Sequence, residues 1–458
     1  MTRNDLAQMS DDELIDLVLA QAQQNAKLQA DVEALRMKLE KGKKPPPNSG
    51  NSSQPPSQDQ KGNLPEKRKK HRHGPPKGHV KYERKFVAEA DHIVELKASI
   101  CQECQTDLAQ AAQVLLDVNQ ITELPEAKAE VIEVRQYCVE CPCCGVGQVE
   151  LPPAGLEMER TFGARLEATV VYYRQEQHMS YVRTQAALQN LHGVEISQGG
   201  IDKIMQHTGR KAIGAIKPIE QAIQQSVVIH SDETSSRVDG NTWWQWVFCS
   251  VNAVLHVMRF NRSVDVVKDV MGEHQAEVWV SDCYGPQMNA PSKKHQLCLA
   301  HQLRNLQAVV EQYPKHFWAR HVQRLFRYAI HLHNQRHQLS EETFLNRLER
   351  IEKCFDNLLN QGLDPPDARR LQRRYRKYRL AIFVFLYRTD VSPTNNISER
   401  HLRPSVIHRK VSGGFRSDWG AKAYAALKSL VDTGALSGIA PFSIIQNLLG
   451  FPALPLRL

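Results

Sequence analysis

No stretch of this 458-residue chain approaches 18 consecutive apolar residues, so no segment is equipped to cross a bilayer as a helix. The opening residues, MTRNDLAQMSDDELIDLV, carry neither the apolar core nor the small-residue cleavage site of a secretory leader, and a cytosolic protein without a membrane partner is expected. Apolar residues are scarce, at 41% overall, and the first 80 positions hold few of them, so that region builds no core of its own. Acid falls short of base, 50 Asp and Glu against 59 Lys and Arg, and the formal charge of +9 points to a polyanionic partner. Cysteine is thin outside one place. Of ten, six lie between positions 101 and 144, and without an export signal such crowding reads as metal binding rather than a disulfide framework.

What is present falls into segments. Residues 1–42 carry a heptad in which Leu14, Gln21, Leu28 and Leu35 alternate with Val18, Asn25, Val32 and Leu39. That is a coiled-coil seam with a polar register residue at Asn25, and it predicts a homo-oligomer. Residues 43–82, rich in Pro, Ser, Asn and Lys, read as a disordered basic linker. Across 83–155, short β-like runs (KFVAEA, HIVELKA, AEVIEVRQY) surround the cysteines, as in a small metal-stapled module. Residues 156–222 are helical in pattern and compatible with a helix-turn-helix or with ordinary helix packing. From 223 to 300 the period switches to that of an α/β domain: three meandering strands, a helix, a strand ending in VWVSD, then KKHQLCLA. Residues 301–390 read as a basic helical insertion, 391–435 return to the α/β domain, and 436–458 form a helical tail.

Two constellations carry chemistry. Cys101 and Cys104 form a CxxC, and CVECPCCGVG offers Cys138, Cys141, Cys143 and Cys144. Tetrahedral Zn²⁺ needs four thiolates, and CxxC turns aim two at one ion, which makes Cys101, Cys104, Cys141 and Cys144 the chosen structural site. Cys138 with Cys141 is the competing second pair. The other constellation is acidic. Asp232 and Asp282 each close an apolar run (VVIHSD, VWVSD), placing both at the C-terminal ends of strands. Further on, TNNISERHLRPSVIHRK has a single acid, Glu399, among its cations. Asn396 and Glu399 have the spacing of a capping box, while a carboxylate in a first helical turn is also suited to hold a metal. Three converging carboxylates repel one another unless divalent cations neutralise them, and two Mg²⁺ or Mn²⁺ ions about 3.5 to 4 Å apart suit phosphodiester chemistry. Among the tryptophans, alternation puts Trp244 and Trp246 on one strand face, where core burial is the first reading and base stacking the second.

The ordered set of heptad helix, NSSQPPSQD, CxxC with CPCCG, HSDET, WWQWV, SDCYG, CLAH and NNISERHLRP resembles the transposases of the insertion sequence 66 family, which belong to the DDE superfamily. The resemblance implies an α/β RNase H-like catalytic domain with an all-α insertion, preceded by a coiled coil and a small zinc-binding β module. It implies a catalytic and Mg²⁺-binding triad of Asp232, Asp282 and Glu399, and a bacterial enzyme that cuts DNA at its element's ends and joins them to target DNA. Helper proteins from the same element and a nucleoid location accompany that expectation. Cys298 and His301 match a CxxH motif that follows the second Asp in such families, with a structural or a DNA-contacting role. Arg400, Arg403, Arg409 and Lys410 are the cations expected beside the DNA strand, since position 407, basic in some DDE enzymes, is Ile407. The rival class is a non-catalytic zinc-containing DNA-binding protein derived from a transposase.

Overall fold

The computed structural model describes residues 46–52, 79, 84–152 and 156–450, and within the heptad segment positions 24, 27–29, 31 and 32, which are helical. The rest of the heptad, and with it the expected coiled coil, lies outside the described residues. The chain divides into two compact units, 66–132 with 186–195, and the remainder. Among the described residues no helix is long and apolar enough to cross a membrane.

In the smaller unit the apolar runs at 86–97 carry no strand, and Ile93, Val94 and Leu96 are exposed. Alternation makes a strand only where an edge pairs with it and a layer covers it. The regular feature there is the Cys101–Cys104 turn, closed by a bridge between Ile100 and Asp107.

The larger unit begins with a two-stranded antiparallel ribbon, β1 (Cys138–Glu140) and β2 (Gly147–Val149). Four helices follow: α1 (Ala164–Gln175), α2 (Tyr181–His192), of which the residues from 186 on are grouped with the smaller unit, α3 (Gln198–Ala215) and α4 (Lys217–Gln224). Ser197 caps α3, its hydroxyl accepting from the Gly200 amide. Next comes a meander of β3 (Val228–Val238), β4 (Asn241–Cys249) and β5 (Val254–Arg259), then α5 (Val264–Met271), β6 (Ala276–Ser281), the short α6 (Gly285–Met288) and β7 (Ser292–Leu297). Asp239 and Gly240 turn β3 into β4 with φ of 46° and 71°. Both angles lie in the left-handed region that a two-residue hairpin matched to the strand twist demands, and Asp-Gly supplies it cheaply.

The five strands lie in the order β5-β4-β3-β6-β7, antiparallel through the meander and parallel from β3 to β6 to β7. Between β7 and the next sheet-packing helix run α7 (Leu299–Gln312), α8 (Trp318–Asn334), α9 (Glu341–Asn360), α10 (Pro366–Lys377) and α11 (Val384–Tyr387). They share one apolar core with Val278, Val280 and Leu297 of the sheet, centred on Phe326, Phe355, Tyr375 and Phe383. A turn at 48–51, inside the stretch read as linker, is tied to α7 by a 2.7 Å bond from Asn51 Nδ2 to Glu311 Oε2.

The chain then returns as α12 (Asn396–Ser412), α13 (Asp418–Leu436) and α14 (Pro441–Leu449). Leu402 of α12 packs on Val247, Cys249 and Val254. Helix α13 covers the edge strand β5, where Thr433 Oγ1 and Ser429 Oγ accept the amides of Val254 and His256 at 3.0 and 2.8 Å. An edge whose donors are satisfied this way is closed to pairing with another chain. Gly209 lets α3 approach α13, because a Cβ there would meet Ala423 Cβ at 2.7 Å.

Candidate functional site

The sheet register sets the first two acids side by side. Strands β3 and β6 pair in parallel as Val228 with Val278, Ile229 with Trp279 and His230 with Val280. Asp232 and Asp282 each lie two residues beyond the last of these pairs, so period-two alternation sends both side chains to one face. Asp232 is not at a strand end, as its apolar run suggested. Strand β3 continues to Val238 because β4 keeps pairing with it after β6 has stopped. The functional position is thus the fork where β6 leaves β3, the kind of opening in which α/β sheets seat ligands.

Asp232 pairs with Val247, and Val247 packs against Leu402, so Asp232 faces α12. The first turn of α12 carries Glu399 over that face. Burial pushes the Asp232 carboxyl well above its ordinary range, and the charges of Glu233, Asp282 and Glu399 push it further. Asp282 and Glu399 are therefore both within electrostatic reach of Asp232. Asp232 Oδ1 accepts the Glu233 amide and Asp282 Oδ1 accepts the Tyr284 amide, each at 2.9 Å.

Asn396 and Glu399 do not form a capping box. Asn395 occupies the cap position, and its side chain bonds no amide of the helix. It is fully buried and works sideways: Nδ2 donates to the Ser231 carbonyl at 2.7 Å, while Oδ1 accepts from Ser398 Oγ at 2.9 Å and lies 3.3 Å from His230 Nδ1. A helix start pinned to the carbonyl beside Asp232 fixes Glu399 against the first acid. Sequence reasoning missed this residue, although the doubled Asn at 395 and 396 was the available signal.

The CxxH motif acts at the same place. Cys298 is fully buried at the cap of α7, and its sulfur accepts the Asn395 amide at 3.1 Å. His301 Nδ1 lies 3.7 Å from Glu399 Oε1, and Arg304 donates to the same oxygen at 3.1 Å. Arg304, one turn further along α7 than His301, joins the motif at Glu399 although nothing in the sequence marked it. Of the cations expected on α12, Arg400, Arg403 and Lys410 are exposed. Arg409 folds back on β3, bonding the Ser235 carbonyl and Thr234 Oγ1.

The opposite sheet face carries a second, unforeseen cluster. Glu233 pairs with Arg262 and accepts from Gln287 at 2.6 Å. The Arg262 guanidinium lies 4.5 Å from the Trp244 ring and 3.8 Å from that of Tyr284. Trp246 is fully buried, as core burial required, whereas Trp244 remains partly exposed under Arg262. Behind α12, Asp432 is gripped by His256 Nε2, His401 Nδ1 and Lys428 Nζ, each at 2.9 Å.

Both CxxC turns are folded alike, each within its own unit. The Cys101 amide donates to the Thr106 carbonyl at 2.9 Å, and the Gln105 amide to the Cys101 carbonyl at 3.0 Å. The Cys141 amide donates to Val146 at 3.0 Å and that of Gly145 to Cys141 at 2.9 Å, the same two bonds at the same offsets. Gln105 and Gly145 both have positive φ, 61° and 68°. Hydrogen bonds from Thr106 bring the Cys104 thiol down to about 7, and the Cys144 and Cys143 amides lower that of Cys141. Thiols activated on such a turn are ready ligands. Cys138 instead sits on β1.

A fork-seated acid cluster on a mixed five-stranded sheet is the setting in which a family match carries weight. Residues 159–423, more than half of the chain, match the family described as Transposase IS66 family. The chain belongs to that family. No curated protein matches it. The matched span begins before α1 and ends within α13, so it includes Asp232, Asp282 and Glu399 along with the helices between them.

Proposed function

We propose that this family member is a DDE transposase that binds the ends of its mobile element, hydrolyses phosphodiester bonds there and transfers the freed 3′-hydroxyl strand to target DNA. The observation that carries the reading is the convergence on Asp232: the strand register sets Asp282 beside it, and its carboxyl, pushed up first by burial and then by Glu233, is also pushed up by Asp282 and Glu399. Carboxylates gathered at one fork are an oxygen donor set of the kind that hard divalent cations complete, so the residues fit two Mg²⁺ or Mn²⁺ ions. Bound there, the ions supply activation of the attacking oxygen and stabilisation of the leaving one. The chain's part is positional. Asp232, Asp282 and Glu399 hold the ions, Asn395 fixes Glu399, and Arg400 and Arg403 meet the phosphates beside the site.

The strand order β5-β4-β3-β6-β7, with the helical stretch from α7 to α11 preceding α12, supports an RNase H-like core interrupted by an insertion. Helix α10 turns Ala368, Leu371 and Tyr375 inward and leaves Arg369, Arg370, Arg373 and Lys377 exposed, which suits sequence-independent binding of the backbone. The matching CxxC turns support structural Zn²⁺, each turn supplying two thiolates, with Cys101, Cys104, Cys141 and Cys144 preferred over Cys138. Pairing of two ends would come from self-association through the heptad helix, assisted by small proteins of the same element. The test is strand cleavage and joining on end-containing DNA with Mg²⁺ or Mn²⁺. Asp232→Ala should abolish both products while still shifting the DNA. Full activity in that variant, or a wild-type chain that binds ends without ever nicking them, would sink the reading.

A further inference from the structure

Donor atoms of three kinds meet where α7 and α12 begin. Cys298, His301 and Glu399 each offer one ligand atom, and these atoms lie within 4.8 Å of one another. The sulfur already accepts the Asn395 amide, which fixes its position at the start of α7. His301 Nδ1 is buried with no hydrogen-bond partner, since 3.7 Å to Glu399 Oε1 exceeds hydrogen-bond reach. Leaving a buried imidazole nitrogen unbonded costs free energy that packing alone does not explain. A sulfur, an imidazole and a carboxylate together do not select a hard ion; they are the donors taken by zinc and its thiophilic neighbours.

We propose that Cys298, His301 and Glu399 form a binding site for Zn²⁺ or a similarly thiophilic divalent cation, and that an ion held there inhibits the enzyme by withdrawing Glu399 from the acid set. Binding releases the Cys298 thiol proton to solvent and displaces Arg304 from Glu399 Oε1, so the guanidinium and the ion compete for one carboxylate. The inhibitory part rests on the proposed function; the binding part does not.

The experiment separates them. The full chain is equilibrated with buffered Zn²⁺, and bound zinc is counted for wild type, Cys298→Ser, His301→Ala and, as a control remote from the cluster, Cys354→Ser. The first two should each hold one ion per chain fewer than wild type, and the control should lose none. Equal counts in all four proteins overturn the site. If Cys298→Ser does not fold, His301→Ala decides alone. It is read also with Co²⁺, where the wild-type-minus-variant spectrum should show thiolate-to-metal charge transfer and its absence counts against Cys298. In Mg²⁺-supported end cleavage, the Zn²⁺ concentration that halves the rate should rise at least roughly tenfold in His301→Ala, the loss typical even of an outer-shell partner. A counted ion without inhibition overturns the inhibitory role and points to a wrong assignment of Glu399, not to a missing site.

Discussion

Replacing Asn395 by alanine tests the link between the helix that carries Glu399 and the strand that carries Asp232. The substitution removes one donor and one acceptor from a fully buried position and strands two groups, the Ser231 carbonyl and His230 Nδ1, while the Ser398 hydroxyl keeps Cys249 as a partner. A buried polar group left unsatisfied costs about 1 to 3 kcal/mol, so ~2 kcal/mol is the lower expectation for the two together. For a unit of this size, at roughly 2.1 cal/mol/K of unfolding entropy per residue, 1 kcal/mol moves the midpoint by roughly 1 to 1.5 °C, which puts the fall in Tm at about 2 to 3 °C or more by calorimetry. The adjacent Asn396→Ala is the control. A capping box would make Asn396 worth ~1 kcal/mol, whereas the exposed side chain observed predicts a change within about 0.5 kcal/mol. End cleavage should also drop further in Asn395→Ala than its folded fraction explains. A fall in Tm below about 1 °C, or a larger effect from Asn396 than from Asn395, refutes the account of how Glu399 is held.

Two further outcomes follow from buried groups. Asp432→Asn leaves Lys428 buried with Glu176 at 3.3 Å as its remaining carboxylate, and should cost about 3 kcal/mol, as breaking buried pairs does; a thermal midpoint within about 2 °C of wild type would refute it. His408 is enclosed by Phe415, Tyr424 and His178, and burial lowers its pKa from 6.5 to about 3, while His230 is lowered to about 4. The unfolded chain therefore binds more protons below pH 6.5, stability is lost as pH falls, and about 2 kcal/mol should disappear between pH 6.5 and 4.5 through His408 alone. His408→Phe should flatten that part of the Tm-against-pH curve, and an unchanged slope argues against a buried neutral imidazole.

The α/β order and the three-strand meander were legible because β3, β4 and β6 contain apolar runs buried on both faces, and because the parallel register depends on those same runs. The β-like runs near 86–97 misled for the converse reason: the pattern was there, but no strand paired with it. The Cys101 and Cys141 turns were legible from spacing, since their hydrogen bonds stay within six residues. Arg304 was not, because its contact with Glu399 spans 95 positions and depends on where two helices begin.

Helix α12 shows why the region around Glu399 was the hardest to read. Its inward residues are Ser398, Leu402, Ser405 and His408, spaced three and four apart as a helix requires, yet only one of them is apolar. A search for hydrophobic period finds no face here. Burial follows a polar stripe whose partners are supplied from elsewhere: Gln245 Nε2 and Tyr424 Oη donate to Ser405 Oγ at 2.9 and 3.1 Å, and Ser398 meets Asn395. Once that stripe is fixed against the sheet, the rotation of the helix is no longer free. Glu399, one position after Ser398, then lies at the border of the buried face beside the acids, and Arg400 and Arg403 are carried outward to solvent. The polar stripe thus orients the cations and the carboxylate in one step, which is why changing Asn395 should disturb chemistry that Asn395 does not itself perform.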